Sequence, residues 1–494
     1  MKSLKTQLIE ALQPLSDRDY DLIEQALDFA EQAHQNQIRK TGEPFINHPL
    51  RVALLLAQMK LGINAVMAGL LHDVVEDTNI TIKTIERNFN NEVAFLVQSL
   101  TKINTIKYQQ EGKGEEKELD TDKENFRNMI LAMAKDLRVI LIKLADRLDN
   151  MKSLWVLEPT KQKIKALESL EIFAPLAYRL GLTDIGAQLE DLSFPYVYPE
   201  EYKLTRKIVG RKREELESYL KSIVPLVEKK LKENNLTPLK IKYRAKHLYS
   251  IWRKLQKEDM DIKRVYDLVA MRIIMPKTED CYAVLGIIHQ MWKPVPGRFK
   301  DYIALPKPNG YQSLHTTVFS EHGRIVEIQI RTKEMDEEAE WGIASHWMYH
   351  ETKQTKIYQK KKQFIPPKSF YWIKQLQEWQ KTFYNSNQFL ESLKIDFFKD
   401  RIFVLTPKGD IIDLPEGATP IDFAYQVHTE IGNQASGAKV NDKLVPLNYH
   451  LKSGDVVEII VQKGKLPSAS WLGFVKMIET KKKIEEILRR KKLL

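Results

Sequence analysis

Residues 65–78 read AVMAGLLHDVVEDT, an apolar run that ends abruptly in His72, Asp73, Glu76 and Asp77. The run Ala65–Leu71 predicts a buried helix. Spacings of three and four gather the four polar side chains within about a turn and a half of its end. They therefore stand at a buried-to-open boundary, not on a fully solvated face. Two kinds of donor in so short a span suit a divalent cation and the hydrolysis of a phosphate ester.

Two other stretches supply matching groups. GEPFINHPLRVALLLA (42–57) places His48 just before a helix with Pro49 in its first turn. VILIKLADRLDNMKSL (139–154) interrupts an apolar helix face with Asp146, Asp149 and Asn150. His48, His72, Asp73 and Asp146 form a mixed nitrogen and oxygen set appropriate to Mn²⁺, Fe²⁺ or Zn²⁺. Glu76 and Asp77 are suited to orient a water or move a proton. Asn150 is placed to hold a sugar hydroxyl, and Arg39 and Lys40 to engage a nucleotide. His34, on an apolar-faced helix, reads as a packed core histidine.

The chain has 494 residues, enough for roughly three domains at about 150 residues each. Its 43% apolar and 29% charged content is that of a globular protein. No stretch approaches 18–20 uninterrupted apolar residues, and the charged amphipathic N-terminus lacks a signal-peptide core, so no membrane contact is expected. The single cysteine, Cys281, excludes an internal disulfide, reads as a packing residue, and fits the reducing cytoplasm. An excess of 77 basic over 66 acidic residues, +11 formally, favours polyanionic partners such as nucleotides or RNA.

Apolar periodicity predicts helices over 19–37, 49–60, 63–76, 81–100, 124–154 and 161–180, with a polar loop at 109–124 and a charged helical connector near 203–235. From about 236 the pattern changes. DLVAMRIIM (267–275) and RIVEIQIRT (324–332) read as strands flanking a helix at 280–292. Further on, 400–415 reads as a hairpin turning at Pro407-Lys408-Gly409-Asp410, and 454–461 as the closing strand of a small domain.

The α/β part carries a second polar cluster. PGRFKDYIALPKPNGYQSLHTTV (296–318) offers Arg298, Lys300 and Lys307 for phosphates, Asn309, Gln312 and His315 for hydrogen bonds, and Tyr311 as a stacking surface. YRAKHLYSIWRK (243–254) adds Arg244, Lys246 and Lys254 at spacings of successive helical turns, with Ser250 between. No GxxxxGK loop is present, so side chains must hold any triphosphate. Asp267 and Glu327, carboxylates in apolar strands, suit Mg²⁺ and activation of an attacking hydroxyl.

Together these segments resemble the long RelA/SpoT family, which makes and degrades guanosine tetra- and pentaphosphate. The resemblance spans essentially the whole chain. GEPFINHP, LLHDVVEDT and LADRLDNM resemble its HD hydrolase; DLVAMRII, PGRFKDYIALPKPNGYQSLHTTV and VEIQIRT its synthetase; VLTPKGDIIDLPEGATPIDFAYQVHTEIG its TGS domain. It implies a multidomain architecture. An all-α HD-type hydrolase domain (1–195) is followed by a helical connector (196–240). An α/β nucleotidyltransferase-like synthetase domain (241–350) leads through a helical linker (351–394) to a small β-rich, β-grasp-like TGS domain (395–462), and 463–494 begin a further helical region.

The resemblance further implies that His48, His72, Asp73 and Asp146 ligate Mn²⁺, that Glu76 and Asp77 act on the attacking water, and that Arg39 and Asn150 hold the guanosine nucleotide. In the synthetase, Arg244, Lys246, Lys254 and Arg272 would lie around the ATP phosphates, with Asp267 on Mg²⁺. Glu327 would help activate the acceptor 3′-hydroxyl of GDP or GTP or bind a metal. Tyr311 would stack on guanine in a pocket lined by Lys307, Asn309 and His315. Arg298, Lys300 and Asp301 give the basic signature of members with both activities. His428 matches a TGS residue near deacylated tRNA on the ribosome, although stable docking is not expected without the family's later domains. Three departures stand out: Asp149 and Asp336 where the family usually has His, and Ser345 where it has Ala. None removes a proposed catalytic group. Two opposed activities imply two conformations coupled through the helices of 155–240.

Overall fold

A computed structural model describes residues 3–105, 135–265, 268–307, 310–345 and 401–490. The loop expected at 109–124 and the linker expected at 351–394 lie outside the described residues.

The first part is helical: α1 (Leu4–Leu12), α2 (Asp17–Ala33), α3 (Asn47–Gln58), α4 (Ile63–Leu71), α5 (Val74–Asp77), α6 (Ile82–Asn88), α7 (Asn91–Thr105), α8 (Leu137–Lys152), α9 (Pro159–Glu168), α10 (Ala174–Arg179) and α11 (Thr183–Val197). Local chemistry sets several starts. Ser16 Oγ accepts the Asp19 N–H, and Thr81 and Asp136 cap α6 and α8 in the same way. α4 is buried throughout Ala65–Leu71 and packs on α3 and α8. A Cβ on Gly69 would fall 2.5 Å from Leu56 Cδ1, the movable tip of a side chain, and 3.5 Å from Ala53 Cα, so α4 lies close against α3 at this point.

Periodicity predicts one helix over 63–76, but the chain breaks at His72–Asp73. The His72 Nδ1–H donates to the Gly69 carbonyl at 2.9 Å, the acceptor an unbroken ladder would offer to residue 73. A new turn then starts on the Asp73 carbonyl, which accepts from Glu76 and Asp77. The span 81–100 divides similarly, because the Asn90 side chain accepts the Val93 N–H and starts α7. A single π turn, Ser169–Phe173, joins α9 to α10. Arg147, next to Asp146, reaches it through Ser169 Oγ at 2.8 Å and lies 4.5 Å over the Phe173 ring.

After α12 (Pro199–Glu233) come β1 (Lys240–Ala245), α13 (Leu248–Lys257), β2 (Val269–Met275), α14 (Thr278–Met291), β3 (Lys293–Pro294), β4 (Lys300–Asp301), β5 (Leu314–Phe319), β6 (Ile325–Thr332) and α15 (Lys333–Trp341). The sheet order is β1-β2-β6-β5-β3, with β4 also on β5; β2 and β6 are parallel and the other pairs antiparallel. Alternation divides its faces. Met271, Ile273, Leu314, Val318, Ile328 and Ile330 enter a core shared with Ile251, Leu255, Cys281 and Ile288. The opposite face carries Lys242, Arg244, Arg272, His315, Glu327, Gln329 and Arg331.

One expectation needs correcting. Arg244, Lys246 and Lys254 do not lie on successive turns of one helix: Arg244 is on β1, Lys246 follows it, and only Ser250 and Lys254 are on α13. Pairing with the edge of β2 takes the segment Lys240–Ala245 into the sheet.

The helical and α/β parts belong to one compact unit. Asp191 on α11 accepts the Tyr249 N–H at 2.9 Å, satisfying the start of α13, and meets His247 Nδ1 at 2.9 Å. Asp184 Oδ1 is 3.7 Å from His247 Nε2. Burial would lower the His247 pKa, but the two carboxylates carry it up to about 9. Nearby, Thr183 Oγ1 donates to the Ala339 carbonyl and the Ile343 N–H to that of Leu180. Between them Gly342 has φ +48°, and a Cβ there would lie 2.3 Å from the Leu180 oxygen.

The C-terminal unit contains β7 (Arg401–Leu405), β8 (Ile411–Pro415), α16 (Pro420–Val427), α17 (Thr429–Asn433), β9 (Ala435–Val440), β10 (Lys443–Val445), β11 (Val457–Val461) and α18 (Ile478–Arg490). β7 and β8 form the hairpin, and β10-β9-β11 a second small sheet. Buried Asp422 accepts the Thr419, Lys476 and Met477 N–H groups, tying the lead-in of α18 to the start of α16. Among the described residues no helix is long and apolar enough to cross a membrane.

Two measurements check the junction around α11. Gly342→Ala should cost on the order of 3 kcal/mol in denaturant unfolding, because backbone atoms cannot yield to the added Cβ. His247 has a folded pKa above its ordinary 6.5. Its ion pairs therefore stabilise fully below about pH 6.5 and fade as pH rises through about 9. The destabilisation caused by Asp191→Asn should accordingly shrink by on the order of 1–2 kcal/mol between pH 6 and pH 9.5. A difference independent of pH would contradict the pairing.

Candidate functional site

α3, α4 and α8 bring residues far apart in sequence to one buried point. His48 Nε2 is 3.3 Å from Asp146 Oδ1 and 3.5 Å from Asp73 Oδ2; His72 Nε2 is 3.2 Å from Asp73 Oδ2 and 3.9 Å from Asp146 Oδ1. One donor atom from each of His48, His72 and Asp146 lies within 4.8 Å of the others. The helix break falls at His72 and Asp73, both of which lie against His48. His72 Nε2 is buried and has no hydrogen-bond partner among the described residues.

The electrostatics describe a well for positive charge. Burial alone would lower both imidazole pKa values. Asp73 and Asp146 instead raise His72 to about 9, and hydrogen bonds to Asp146 and Asp149 raise His48. Burial would raise Asp146, yet Lys143, His48 and His72 hold it well below the usual carboxylate range. A divalent cation satisfies the same carboxylates with both imidazoles neutral. Nitrogen and oxygen donors, a buried location and an unpartnered His72 Nε2 fit such an ion.

Around the cluster, Arg39 Nη2 donates to Asn150 Oδ1 at 2.6 Å, and Asn150 Nδ2 donates to Asp146 Oδ1 at 2.5 Å. Glu76 is half-buried and its charge acts on Lys143. Asp77 is exposed, its carboxyl pushed up by partial burial and the charge of Asp73. Lys40 is exposed and outside the cluster. His34 is packed, stacking on Phe45 with ring centroids 4.5 Å apart. Lys143 was not anticipated: its ammonium binds Asp146 Oδ2 at 2.8 Å. In KLADRLDN it reads as an ordinary flanking charge, and the nearest signal was its spacing of three from Asp146.

The polar sheet face holds the second cluster. Asp336 draws in three bases: Lys242 at 3.0 Å, Arg272 at 3.2 Å and Arg331 at 2.5 Å. Arg331 is fully buried, and its Nε and Nη1 have no partner among the described residues. Arg331 is not among the candidate residues read from the sequence, where an arginine at the end of RIVEIQIRT looks like any solvated strand-end charge. Burial, with the charges of Arg331 and Arg244, lowers Arg272 to about 10.

Across the sheet, Glu327 Oε1 accepts from Gln329 Nε2 at 3.0 Å and lies 3.2 Å from His315 Nδ1, whose Nε2 meets the Tyr311 hydroxyl at 2.7 Å. Lys307 Nζ lies 5.1 Å over the Tyr311 ring, and burial, with the charge of Lys300, lowers it to about 8. Gln312 donates to the Ile303 carbonyl. Arg298 and Lys300 are exposed, Lys300 on β4 opposite His315. Asp267 and Asn309 lie outside the described residues. Ser345 Oγ donates to the Gly342 carbonyl. In the C-terminal unit His428 is exposed, and its Nδ1 accepts the Glu430 N–H at 3.2 Å.

These clusters fall in recognised domains. Residues 26–183 match the HD domain, 243–354 the region found in RelA / SpoT proteins, and 402–461 the TGS domain. The guanosine-3′,5′-bis(diphosphate) 3′-pyrophosphohydrolase of Aquifex aeolicus is 49% identical over 95% of this chain and 64% of its own length. The GTP pyrophosphokinase of Myxococcus xanthus is 45% identical over 96% of this chain and 61% of its own length. The bifunctional (p)ppGpp synthase/hydrolase SpoT of Escherichia coli K12 is 44% identical over 95% of this chain and 65% of its own length. The chain thus spans a little under two thirds of these relatives. An HD domain implies a divalent metal, and the His48–His72–Asp146 cluster is a possible place for it. With the three domains in this order and such similarity along nearly all its length, the chain belongs to the RelA/SpoT family.

Proposed function

We propose that this chain both makes and degrades guanosine tetra- and pentaphosphate, with the hydrolase in residues 1–195, the synthetase in 241–350 and the TGS domain in 395–462. The observation that carries this reading is the coexistence of a buried acid–imidazole cluster with a separate basic sheet face, on a chain whose relatives include enzymes named for each reaction.

In the hydrolase, His48, His72, Asp73 and Asp146 would hold a divalent cation, with Mn²⁺ the assignment. When bound, the ion supplies a concentrated positive charge that polarises phosphate and acidifies water. Arg39 and Asn150 orient the guanosine nucleotide, while Glu76 and Asp77 take up the proton of the attacking water. The water oxygen attacks the phosphorus bonded to O3′. The bond from that phosphorus to O3′ breaks, the proton taken from water is passed on to O3′, and the 3′-hydroxyl of GDP or GTP is restored as pyrophosphate is released.

In the synthetase, Arg244, Lys246, Lys254 and Arg272 neutralise the ATP phosphates, with Ser250, Arg298 and Lys300 as further nucleotide contacts. Tyr311 stacks on the acceptor guanine, and Lys307, Asn309, Gln312 and His315 line its pocket. Glu327, held by Gln329 and His315, removes the 3′-hydroxyl proton as that oxygen attacks the β-phosphorus of ATP. The bond to the α-phosphate oxygen breaks and AMP leaves. Mg²⁺ is the assigned ion, with Asp267 its proposed ligand. A transient contact with deacylated tRNA at His428, an exposed residue of the TGS domain, is proposed as a further interaction, short of stable ribosome docking.

Paired assays test the reading. Purified protein with ATP, GDP and Mg²⁺ should form the 3′-pyrophosphorylated product, and with the tetraphosphate and Mn²⁺ should release pyrophosphate. His72→Ala should abolish breakdown while synthesis continues. Glu327→Gln should slow synthesis about 10²–10⁴-fold while breakdown continues. Loss of both reactions in either folded variant would overturn the two-site assignment. Arg331→Met, removing a buried guanidinium, should weaken nucleotide binding to the synthetase roughly tenfold or more, read by calorimetry.

A further inference from the structure

We infer that Asp149 is a positioning residue for the hydrolase cation: it anchors His48 through Nδ1 and leaves Nε2 to face the cluster. This rests on the proposed role of His48, His72, Asp73 and Asp146 as cation ligands.

The two ring nitrogens of His48 have different surroundings. Nδ1 is 2.7 Å from Asp149 Oδ2, while Nε2 faces Asp146 and Asp73 at 3.3 and 3.5 Å. An ionised carboxylate only accepts, so Nδ1 carries the proton in the neutral ring and Nε2 presents its lone pair to the cluster. That is the tautomer a ligating imidazole needs, and a carboxylate behind the ring also strengthens it as a donor. His72 is fixed differently, by the neutral Gly69 carbonyl. The two histidines therefore differ in the charge behind them.

Asp149 is itself held firmly. Arg51 Nε donates to Oδ1 at 2.7 Å and Nη2 to Oδ2 at 3.2 Å, with Arg39 Nη1 3.4 Å from Oδ2. Glu43 fixes Arg51 from the other side through both oxygens, at 2.8 and 2.7 Å. A row of alternating charge, Glu43, Arg51, Asp149, His48, thus runs into the cluster. Asp149 also follows Asp146 by three residues on α8, so one helix face presents a ligand and the anchor of another ligand. At this position the resembling family usually carries His; here a carboxylate does the anchoring.

The test is Mn²⁺ titration calorimetry on the whole chain, comparing the native protein with Asp149→Asn, Arg51→Gln and His48→Ala, with thermal unfolding recorded for each. Asp149→Asn should bind Mn²⁺ about 10–100-fold more weakly. The Mn²⁺ concentration giving half-maximal tetraphosphate breakdown should rise in step. If Asp149→Asn does not fold, Arg51→Gln answers instead, since loosening the clamp should also weaken Mn²⁺ binding. Native Mn²⁺ affinity in a folded Asp149→Asn or, where that variant does not fold, in Arg51→Gln would overturn the inference and leave Asp149 as a structural ion-pair partner. Native affinity in His48→Ala would instead overturn the ligand assignment itself.

Discussion

Asp146 sets the constraint on which the helical part depends. Its side chain is 8% exposed, and its sequence neighbours Leu144, Ala145 and Leu148 are all in the core. An isolated carboxylate in that position would cost far more than the domain's net stability. It is retained because three elements converge on it: His48 from the start of α3, His72 from the end of α4, and Lys143 and Asn150 from its own helix. The break after α4 and the close α3–α4 approach at Gly69 serve that convergence. Satisfying this charge and building a cation well are one structural solution.

The sheet face poses the same problem with the signs reversed. Arg331 is fully buried and Arg272 nearly so, and Lys242 is close by; Asp336 is the counter-charge that joins them. Like-charge crowding is tolerated because one carboxylate reaches all three, and because β1, β2 and β6 put alternate residues on the same face. The result is a fixed, preorganised positive field instead of flexible surface lysines. Asp336 and Asp149 are both departures from the usual family residue. Asp149 pairs with His48, and Asp336 with Lys242, Arg272 and Arg331.

Much of this was legible in the chain. LLHDVVEDT, NHP and LADRLDN each break an apolar helical pattern with groups too polar to bury singly, so their convergence follows from burial itself. The break at His72–Asp73 was not legible, because the apolar spacing runs straight through it and the cause is a side-chain bond to Gly69. Neither was the role of Asp149, whose partner His48 is 101 residues away. On the α/β side the apolar strands announced themselves. β1 did not, because its alternating lysines and arginine read equally well as helix until β2 is beside it. Arg331 escaped notice for a related reason: only the sheet shows that a charged residue at a strand end is completely covered.

If the α3–α4–α8 cluster holds a cation, it does so separately from the basic sheet face. Anomalous scattering from crystals of the protein grown with Mn²⁺ addresses this most directly. A single strong peak enclosed by His48, His72, Asp73 and Asp146, lost in His72→Ala crystals, is the predicted result. A cluster without a peak at saturating Mn²⁺, or a peak that persists unchanged without His72, would contradict the account.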